Sequence, residues 1–149
     1  MENTSNQIIP EKIHLTNIKW VKENTVLLDK KLPQNPTYNF TITHNVMHNL
    51  EKQLVKIRLF VDMNGIINEK PINQGGNYEI DFFFQIEDLK NHYQIIEEKT
   101  IFNGVFVGTL LSISYSTLRG ILFTKWKDTV LESVLLPVIS IPSLLNSKR

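Results

Sequence analysis

The chain has 149 residues, of which 42% are hydrophobic and 21% are charged, with a formal net charge of +1. This balance excludes an intrinsically disordered chain and gives no strong positive field for nucleic acid. The sequence contains no cysteine, which excludes disulfide bonds, thiolate metal sites and cysteine nucleophiles. We expect a single domain over residues 1–149, with a disordered start at residues 1–7 because those residues are mostly polar. Residues 1–10 carry no basic-then-apolar signal pattern, so we expect a cytoplasmic protein.

Alternating apolar residues in the first part of the chain predict four β-strands. The predicted strands cover residues 13–21, 38–48, 55–63 and 78–87. The first strand needs a β-bulge near Thr16 and Asn17, because its apolar positions change parity there. The third strand is the clearest, since apolar and polar residues alternate strictly from Val55 to Met63. A loop over residues 64–77 is predicted between the third and fourth strands.

The connection over residues 22–36 is unusually apolar for a loop. It contains Leu27, Leu28 and Leu32, and it is closed by Pro33 and Pro36, which block regular strand pairing. Such a segment either seals one end of the core or borders a groove. The pattern leaves both interpretations open.

The polar faces of the third and fourth strands carry charges of opposite sign. Lys56 and Arg58 are expected to pair across the strands with Glu79 and Asp81, which would help to fix the register. Two aromatic residues, Phe60 and Phe83, lie on these same polar faces. They either form an exposed apolar patch, typical of a partner surface, or are covered by another segment.

Residues 101–123 form a long apolar segment with one charge, Arg119, and with small residues at every fourth position. Its length and apolarity would suit a membrane-spanning helix. The polar residues near one end and the preceding strands favour instead a soluble helix, covered by the sheet and by a second copy of the chain. Gly120 is predicted to kink or end this helix. Beyond it, Pro137 excludes an uninterrupted helix over residues 130–141. Strands followed by a helix laid on them predict an α+β domain.

No constellation of residues indicates an enzyme or a metal site. His44 and His48 lie on a predicted strand about 13 Å apart, which is too far for one metal ion. The sequence shows neither a nucleophile-elbow pattern nor a glycine-rich phosphate loop. We therefore expect no catalysis, no metal and no cofactor. A small-ligand or lipid-binding α+β module, with its pocket between helix and sheet, is one alternative that the pattern allows.

Two segments resemble the bacterial protein-export chaperone SecB and its SecB-like relatives. The first, residues 12–20, is similar to the opening strand of that family, in which an isoleucine is followed five residues later by another and then by an aromatic residue. The second runs over residues 110–138 and looks like the long helix of the family, ending in Arg-Gly and followed by Pro-Val. Its matching residues are Leu110, Ser114, Leu118, Arg119, Gly120, Leu136, Pro137 and Val138.

The resemblance implies a fold and an assembly. It implies a four-stranded antiparallel sheet followed by a long helix and a short C-terminal helix packed on one face. It also implies a homo-oligomer, a dimer or a tetramer, that assembles through the long helix. The expected interface residues are Gly104, Gly108, Ser112, Tyr115 and Ser116.

The resemblance also implies a function. SecB-type proteins hold unfolded or translocation-competent polypeptides in apolar grooves without ATP. The matching client contacts in this chain are Leu27, Leu28, Leu32, Tyr38 and Phe40. The sequence lacks the zinc-binding tail that docks the translocase motor SecA, so coupling to export stays open. A SecB-like chaperone dedicated to one client, such as an antitoxin, is the second alternative.

Overall fold

The computed structural model describes residues 7–149 of the chain. The prediction of a disordered start falls almost entirely on residues 1–6, which lie outside the described residues. The strands are β1 Ile13–Val26, β2 Thr37–Asn49, β3 Leu54–Ile67, β4 Lys70–Ile86, β5 Tyr93–Ile96 and β6 Lys99–Phe102. The α-helices are α1 Gly104–Lys125 and α2 Ile141–Asn146. Short 3-10 turns at Pro10–Lys12 and Leu89–His92 precede β1 and β5.

The first four strands form one antiparallel sheet in the order β1-β4-β3-β2. The predicted fold class, an α+β protein with a four-stranded antiparallel sheet, a long helix and a short last helix, is confirmed. The predicted bulge is also confirmed, since the register of β1 shifts between Leu15 and Asn17. A second shift between Trp20 and Lys22 restores pairing and carries β1 to Val26, beyond its predicted end. Because the apolar parity changes a second time there, the alternating pattern in the sequence did not predict the last residues of β1.

The predicted loop over residues 64–77 is wrong, because β3 and β4 continue through it as a tight hairpin. Ile67 pairs with Lys70, and the two turn residues, Asn68 and Glu69, both have positive φ values of 52° and 63°. Positive φ at both central residues is typical of the turns that match strand twist in hairpins. Gly75 is needed in β4, because a Cβ atom there would lie 2.0 Å from the carbonyl oxygen of Met63. The glycines and asparagines of this segment serve a paired hairpin.

The core lies between the inner face of the sheet and α1. The residues of β3 and β4 predicted to point inward are buried, as are five leucine and phenylalanine residues of α1. These core residues are Val55, Ile57, Leu59, Val61, Met63, Tyr78, Ile80, Phe82, Phe84, Ile86, Phe106, Leu110, Leu111, Leu118 and Leu122. Burying each large apolar side chain contributes about 1.5–3 kcal/mol, so this layer dominates the stability of the sheet.

Helix α1 is longer than predicted at its far end. It begins at the N-cap Asn103, whose side chain accepts a hydrogen bond from Val105 N at 2.8 Å, and it continues to Lys125. The predicted kink or end at Gly120 is wrong, because Gly120 lies on the exposed side of an unbroken helix. By length and composition α1 would suffice to cross a membrane, and 44% of its most apolar stretch of 18 residues is buried within the structure. The core helix of a soluble protein meets the same criterion.

Two further elements follow from local chemistry. The hairpin of β5 and β6 was not predicted; it turns at Glu97 and Glu98, both with positive φ, and β6 takes up Ile101, at which the predicted helical segment begins. After α1 the chain runs without helix or strand to Ser140, whose side chain caps α2 by accepting a hydrogen bond from Ser143 N. The prediction that Pro137 excludes an uninterrupted helix is confirmed.

The predicted charge pairing converges on Asp81. Arg58 donates to both carboxylate oxygens of Asp81, from Nε at 2.7 Å and from Nη2 at 2.9 Å, and Lys56 lies 3.6 Å away. Burial acts to raise the pKa of Asp81, but the hydrogen bond from Arg58 and the charge of Lys56 outweigh it and lower the pKa. This cluster ties β3 to β4 on the outer face of the sheet.

Candidate functional site

The apolar connection between β1 and β2 is anchored by a buried glutamine. Gln74 of β4, only 4% exposed, accepts a hydrogen bond from Leu28 N at 3.1 Å and donates to the Tyr38 hydroxyl at 2.9 Å. Leu28 and Leu32 are half-buried, whereas Leu27 is 43% exposed. The connection therefore seals one end of the sheet with two of its leucines and presents the third to solvent.

Tyr38 and Phe40 belong to β2 and face the helix layer. They pair across the sheet with Gly65 and Met63, and both are half-buried against the core. The structure brings Leu28 and Tyr38 together through Gln74. Sequence reasoning missed Gln74 because it fell within a predicted loop, where a buried side chain has no periodic signal.

A groove lies beside the outer edge of β2. Its volume is about 470 Å³, and its walls come from β2, from the hairpin of β5 and β6, from the first turns of α1 and from α2. The apolar lining residues are Val46, Ile101, Phe102, Val107 and Leu145. β2 is an edge strand, so its outward backbone groups run along this groove. None of these apolar lining residues was predicted as a site residue, because the hairpin that forms one wall was not predicted.

A second apolar surface lies on β1, the other edge strand. Leu15, Ile18 and Trp20 pair with Phe84, Phe82 and Ile80 and so share the inner face, yet each is 37% exposed. Trp20 packs against Tyr78 with ring centroids 6.0 Å apart, and Lys125 lies 5.9 Å above the Trp20 ring. The inner face of the sheet is thus apolar up to its edge, where α1 does not fully cover it.

The small residues of α1 do not share one face. A spacing of four residues rotates the position by about 40° around the helix at each step, because a turn takes 3.6 residues. Gly108 is buried beneath α2, where a Cβ atom would lie 2.7 Å from Cγ2 of Ile141. Tyr115 is also buried and donates its hydroxyl hydrogen bond to the carbonyl oxygen of Pro137. These two predicted interface residues pack within the protomer.

The other predicted interface residues lie nearer the surface of α1. Gly104 and Ser116 are exposed and Ser112 is half-buried. Two large apolar residues, Val105 and Phe123, are exposed near the two ends of the same helix. This outward side of α1 is available for contact with another molecule.

Phe60 and Phe83 do not form the joint patch that their sequence positions suggested. Phe60 pairs with Glu79 and Phe83 with Lys56, so the rings are four residues apart along the strands, about 13 Å. Phe60 is 8% exposed because the guanidinium of Arg149 lies 4.2 Å from its ring centroid. Phe83 is half-buried, with the ammonium groups of Lys19 and Lys56 at 5.7 and 5.8 Å. Cations cover both rings.

The overall architecture matches a solved chaperone structure. The Mycobacterium tuberculosis Rv1957 SecB-like chaperone, in complex with a ChAD peptide from the Rv1956 HigA1 antitoxin, superposes with a TM-score of 0.64 at 12% sequence identity. The match covers 87% of this chain and 92% of that chain. This chain has the SecB-like fold. No family model matches the sequence, and no curated protein matches it either.

The SecB-like fold is what places two apolar surfaces at opposite edges of one sheet. The groove beside β2 combines outward backbone groups with an apolar cavity, whereas the β1 surface and the outward side of α1 are broad and open. Among the described residues, no group of three or more histidines, cysteines or carboxylates lies close enough to hold a metal ion. The chemistry offered by these surfaces is apolar contact and backbone pairing.

Proposed function

We propose that this protein is an ATP-independent chaperone that holds unfolded polypeptides in the cytoplasm, with the groove beside β2 as its client site. The observation that carries the proposal is the groove itself, in which a cavity of about 470 Å³, with an apolar residue from each of its walls, adjoins an edge strand. An extended polypeptide can pair its backbone with such an edge while its alternate side chains enter the cavity. Neither ATP nor the translocase motor SecA is needed for this mode of binding.

Leu27 extends the proposed client surface at the far end of β2. It is the exposed leucine of the connection, while Leu28, Leu32, Tyr38 and Phe40, which we propose as further client contacts, are half-buried. Many shallow apolar contacts along an extended path suit a polypeptide without a fixed structure.

A chaperone dedicated to one client is the second candidate. What favours it is the similar solved structure, a SecB-like chaperone bound to a peptide from an antitoxin. A dedicated client would be distinguished by its affinity, because a general holdase binds unrelated unfolded chains with similar strength. Titration of the chaperone with several unrelated unfolded polypeptides separates the two candidates.

The proposal includes assembly of identical copies. Leu15, Ile18 and Trp20 on β1, together with Val105 and Phe123 on α1, leave more apolar surface in water than isolated side chains would. Exposed apolar patches, such as the one that Leu15, Ile18 and Trp20 form on β1, mark interaction sites more often than single exposed side chains do. A second copy would cover the β1 surface and the outward side of α1, where Gly104, Ser112 and Ser116 allow close approach.

The test compares two isoleucine substitutions in the same hairpin. Ile101 lines the groove and is 49% exposed, whereas Ile95 is 63% exposed and does not line it. Ile101→Ser should weaken suppression of aggregation of a denatured client, while Ile95→Ser should leave it unchanged. Equal activity in the two variants would place the client elsewhere. A parent protein that binds no unfolded chain, but retains a small molecule in native mass spectrometry, would favour a ligand-binding module instead.

A further inference from the structure

A short segment of the chain already occupies part of the β2 edge. His44 N donates to the carbonyl oxygen of Ser147 at 3.0 Å, and Arg149 N donates to the carbonyl oxygen of His44 at 2.9 Å. Lys148 is the parallel bridge partner of His44. We call residues 147–149 the capping segment, because they cover this part of the strand edge with a single parallel β-bridge.

Side chains on both faces of the sheet hold the capping segment. On the inner face, His44 Nδ1 and the Ser147 hydroxyl lie 3.2 Å apart. On the outer face, the Arg149 guanidinium covers the Phe60 ring. This is a specific docking, since backbone, hydroxyl and guanidinium groups all contribute.

The capping segment also reaches the groove. Lys148 and His44 both line the cavity, so the segment covers the strand edge and part of the cavity wall at once. Lys148 brings a charged group to a cavity that Val46, Ile101, Phe102, Val107 and Leu145 also line. An extended client that carries an apolar side chain in the place of Lys148 would contact these apolar residues better than the lysine does.

The pairing made by the capping segment is much shorter than β2. In the described part of the chain, this edge pairs through His44 alone, although β2 has 13 residues. Because backbone direction alternates along a strand, Ile42 and Val46 present their N–H and C=O groups to the same side as His44. A longer extended polypeptide can pair with all three positions, so it can displace the shorter segment.

We infer that the capping segment is an intramolecular competitor, which occupies the place of an apolar client strand on β2 and must leave before the client binds. The inference rests on the proposed client site. It predicts that the apparent affinity for a client equals the intrinsic affinity multiplied by the fraction of molecules in which the capping segment has left β2. Weakening the cap should tighten client binding, and fixing it should weaken client binding.

Two variants test the competitor in opposite directions. Arg149→Pro removes the N–H that donates a hydrogen bond to the His44 carbonyl oxygen, and it removes the guanidinium over Phe60. Every apolar groove residue stays in place. His44→Cys combined with Ser147→Cys places two thiols where the present side chains meet, in a chain without other cysteines. The same double variant is then measured oxidised and reduced, so that it serves as its own control.

The measurement is fluorescence anisotropy with a labelled polypeptide that is kept unfolded by alkylation of its cysteines. We expect Arg149→Pro to bind it at least about threefold more tightly than the parent chain. We expect the oxidised double variant to bind it at least about threefold more weakly than the same protein after reduction. These changes in affinity follow from the uncapped fraction of the molecules.

The outcomes separate the two proposals. Equal affinities for Arg149→Pro and the parent, and for the oxidised and reduced forms, would overturn the competitor while leaving the client site in place. If Arg149→Pro forms larger assemblies without any gain in client affinity, the β2 edge accepts a second copy and the inference is wrong. If neither the parent nor any variant binds the unfolded polypeptide, the proposed function and the inference fall together.

Discussion

A Cβ atom on Gly108 would lie 2.7 Å from Cγ2 of Ile141, so α2 rests on α1 at the one position of the contact that has no side chain. Leu145 of α2 also approaches this position, with its Cδ1 3.7 Å from the added Cβ atom. The capping segment follows α2 directly in the chain. The packing of α2 against Gly108 therefore also determines where the capping segment contacts β2.

The first prediction follows from this close approach. Gly108→Leu should lower the free energy of unfolding by about 1–3 kcal/mol, because the added side chain overpacks the contact with α2. It should also release the capping segment. Urea unfolding gives the free energy of unfolding, and limited proteolysis after Lys148 reports on release of the capping segment.

Gly120 supplies the matched control for this substitution. It lies in the same helix, with no atom within 4 Å of an added Cβ. Gly120→Ala should stabilise the protein by about 0.5–1 kcal/mol, because alanine loses less conformational freedom in a helix than glycine does. Similar losses of stability at positions 108 and 120 would show that Gly108 is not a packing position.

The second prediction concerns Gln74. Gln74→Leu should cost about 1–3 kcal/mol, because it leaves the Leu28 N–H and the Tyr38 hydroxyl without their partner in a half-buried region. The exposed Gln94 is the matched control, and Gln94→Leu should be close to neutral. Hydrogen exchange at Leu28 should speed up in the first variant alone. Unchanged exchange at that amide would mean that the connection is held by its leucines.

The third prediction is a loss of stability in mild acid. Burial, with the charge of Lys148, lowers the pKa of His44 from 6.5, and burial, with the charge of Lys12, lowers the pKa of His92. The unfolded chain then binds more protons than the folded chain below pH 6.5, so the free energy of unfolding falls as the pH falls. The measurement is urea unfolding between pH 7.5 and pH 5, within the range in which histidines titrate.

The charged and titratable groups around these histidines define the control. His44 faces Lys148 of the capping segment and shares its groove with His48, while its neighbour on β3 is Leu59. His92 stacks on Phe106 with ring centroids 4.4 Å apart, and its Nδ1 has no hydrogen-bond partner among the described residues. His92→Phe preserves the stacking, and the combination with His44→Asn should flatten the pH dependence. If the free energy of unfolding of this double variant still depends on pH as in the parent chain, other titratable groups cause the dependence.

The fourth prediction concerns assembly through β1. Ile18→Ser combined with Trp20→Ser should shift the mass in solution towards that of one 17.3 kDa chain, because the exposed strip loses its apolar character. Ile95→Ser, which removes a more exposed isoleucine on β5, is the control and should leave the mass unchanged. Analytical ultracentrifugation measures both. A parent protein that is already monomeric contradicts the proposed assembly.

Local patterns in the sequence were enough to predict most of the sheet. The strict alternation from Val55 to Met63 and the parity change near Thr16 were read correctly, because strand side chains alternate with a period of two whatever lies next to them. The hairpin at Asn68 and Glu69 was missed, since asparagine and glycine favour a loop and a tight turn alike. The position of Gln74 was lost with it.

By itself, the sequence determined the order of the elements, the inner faces of β3 and β4, and the presence of one long apolar helix. Only the tertiary structure decided which side of that helix meets α2, which strand edges stay open, and that Ser147–Arg149 lies on β2. The physical reason is the range of the interactions. Periodicity is set by neighbours a few residues away, whereas Arg149 reaches Phe60 only after the sheet, α1 and α2 have all packed.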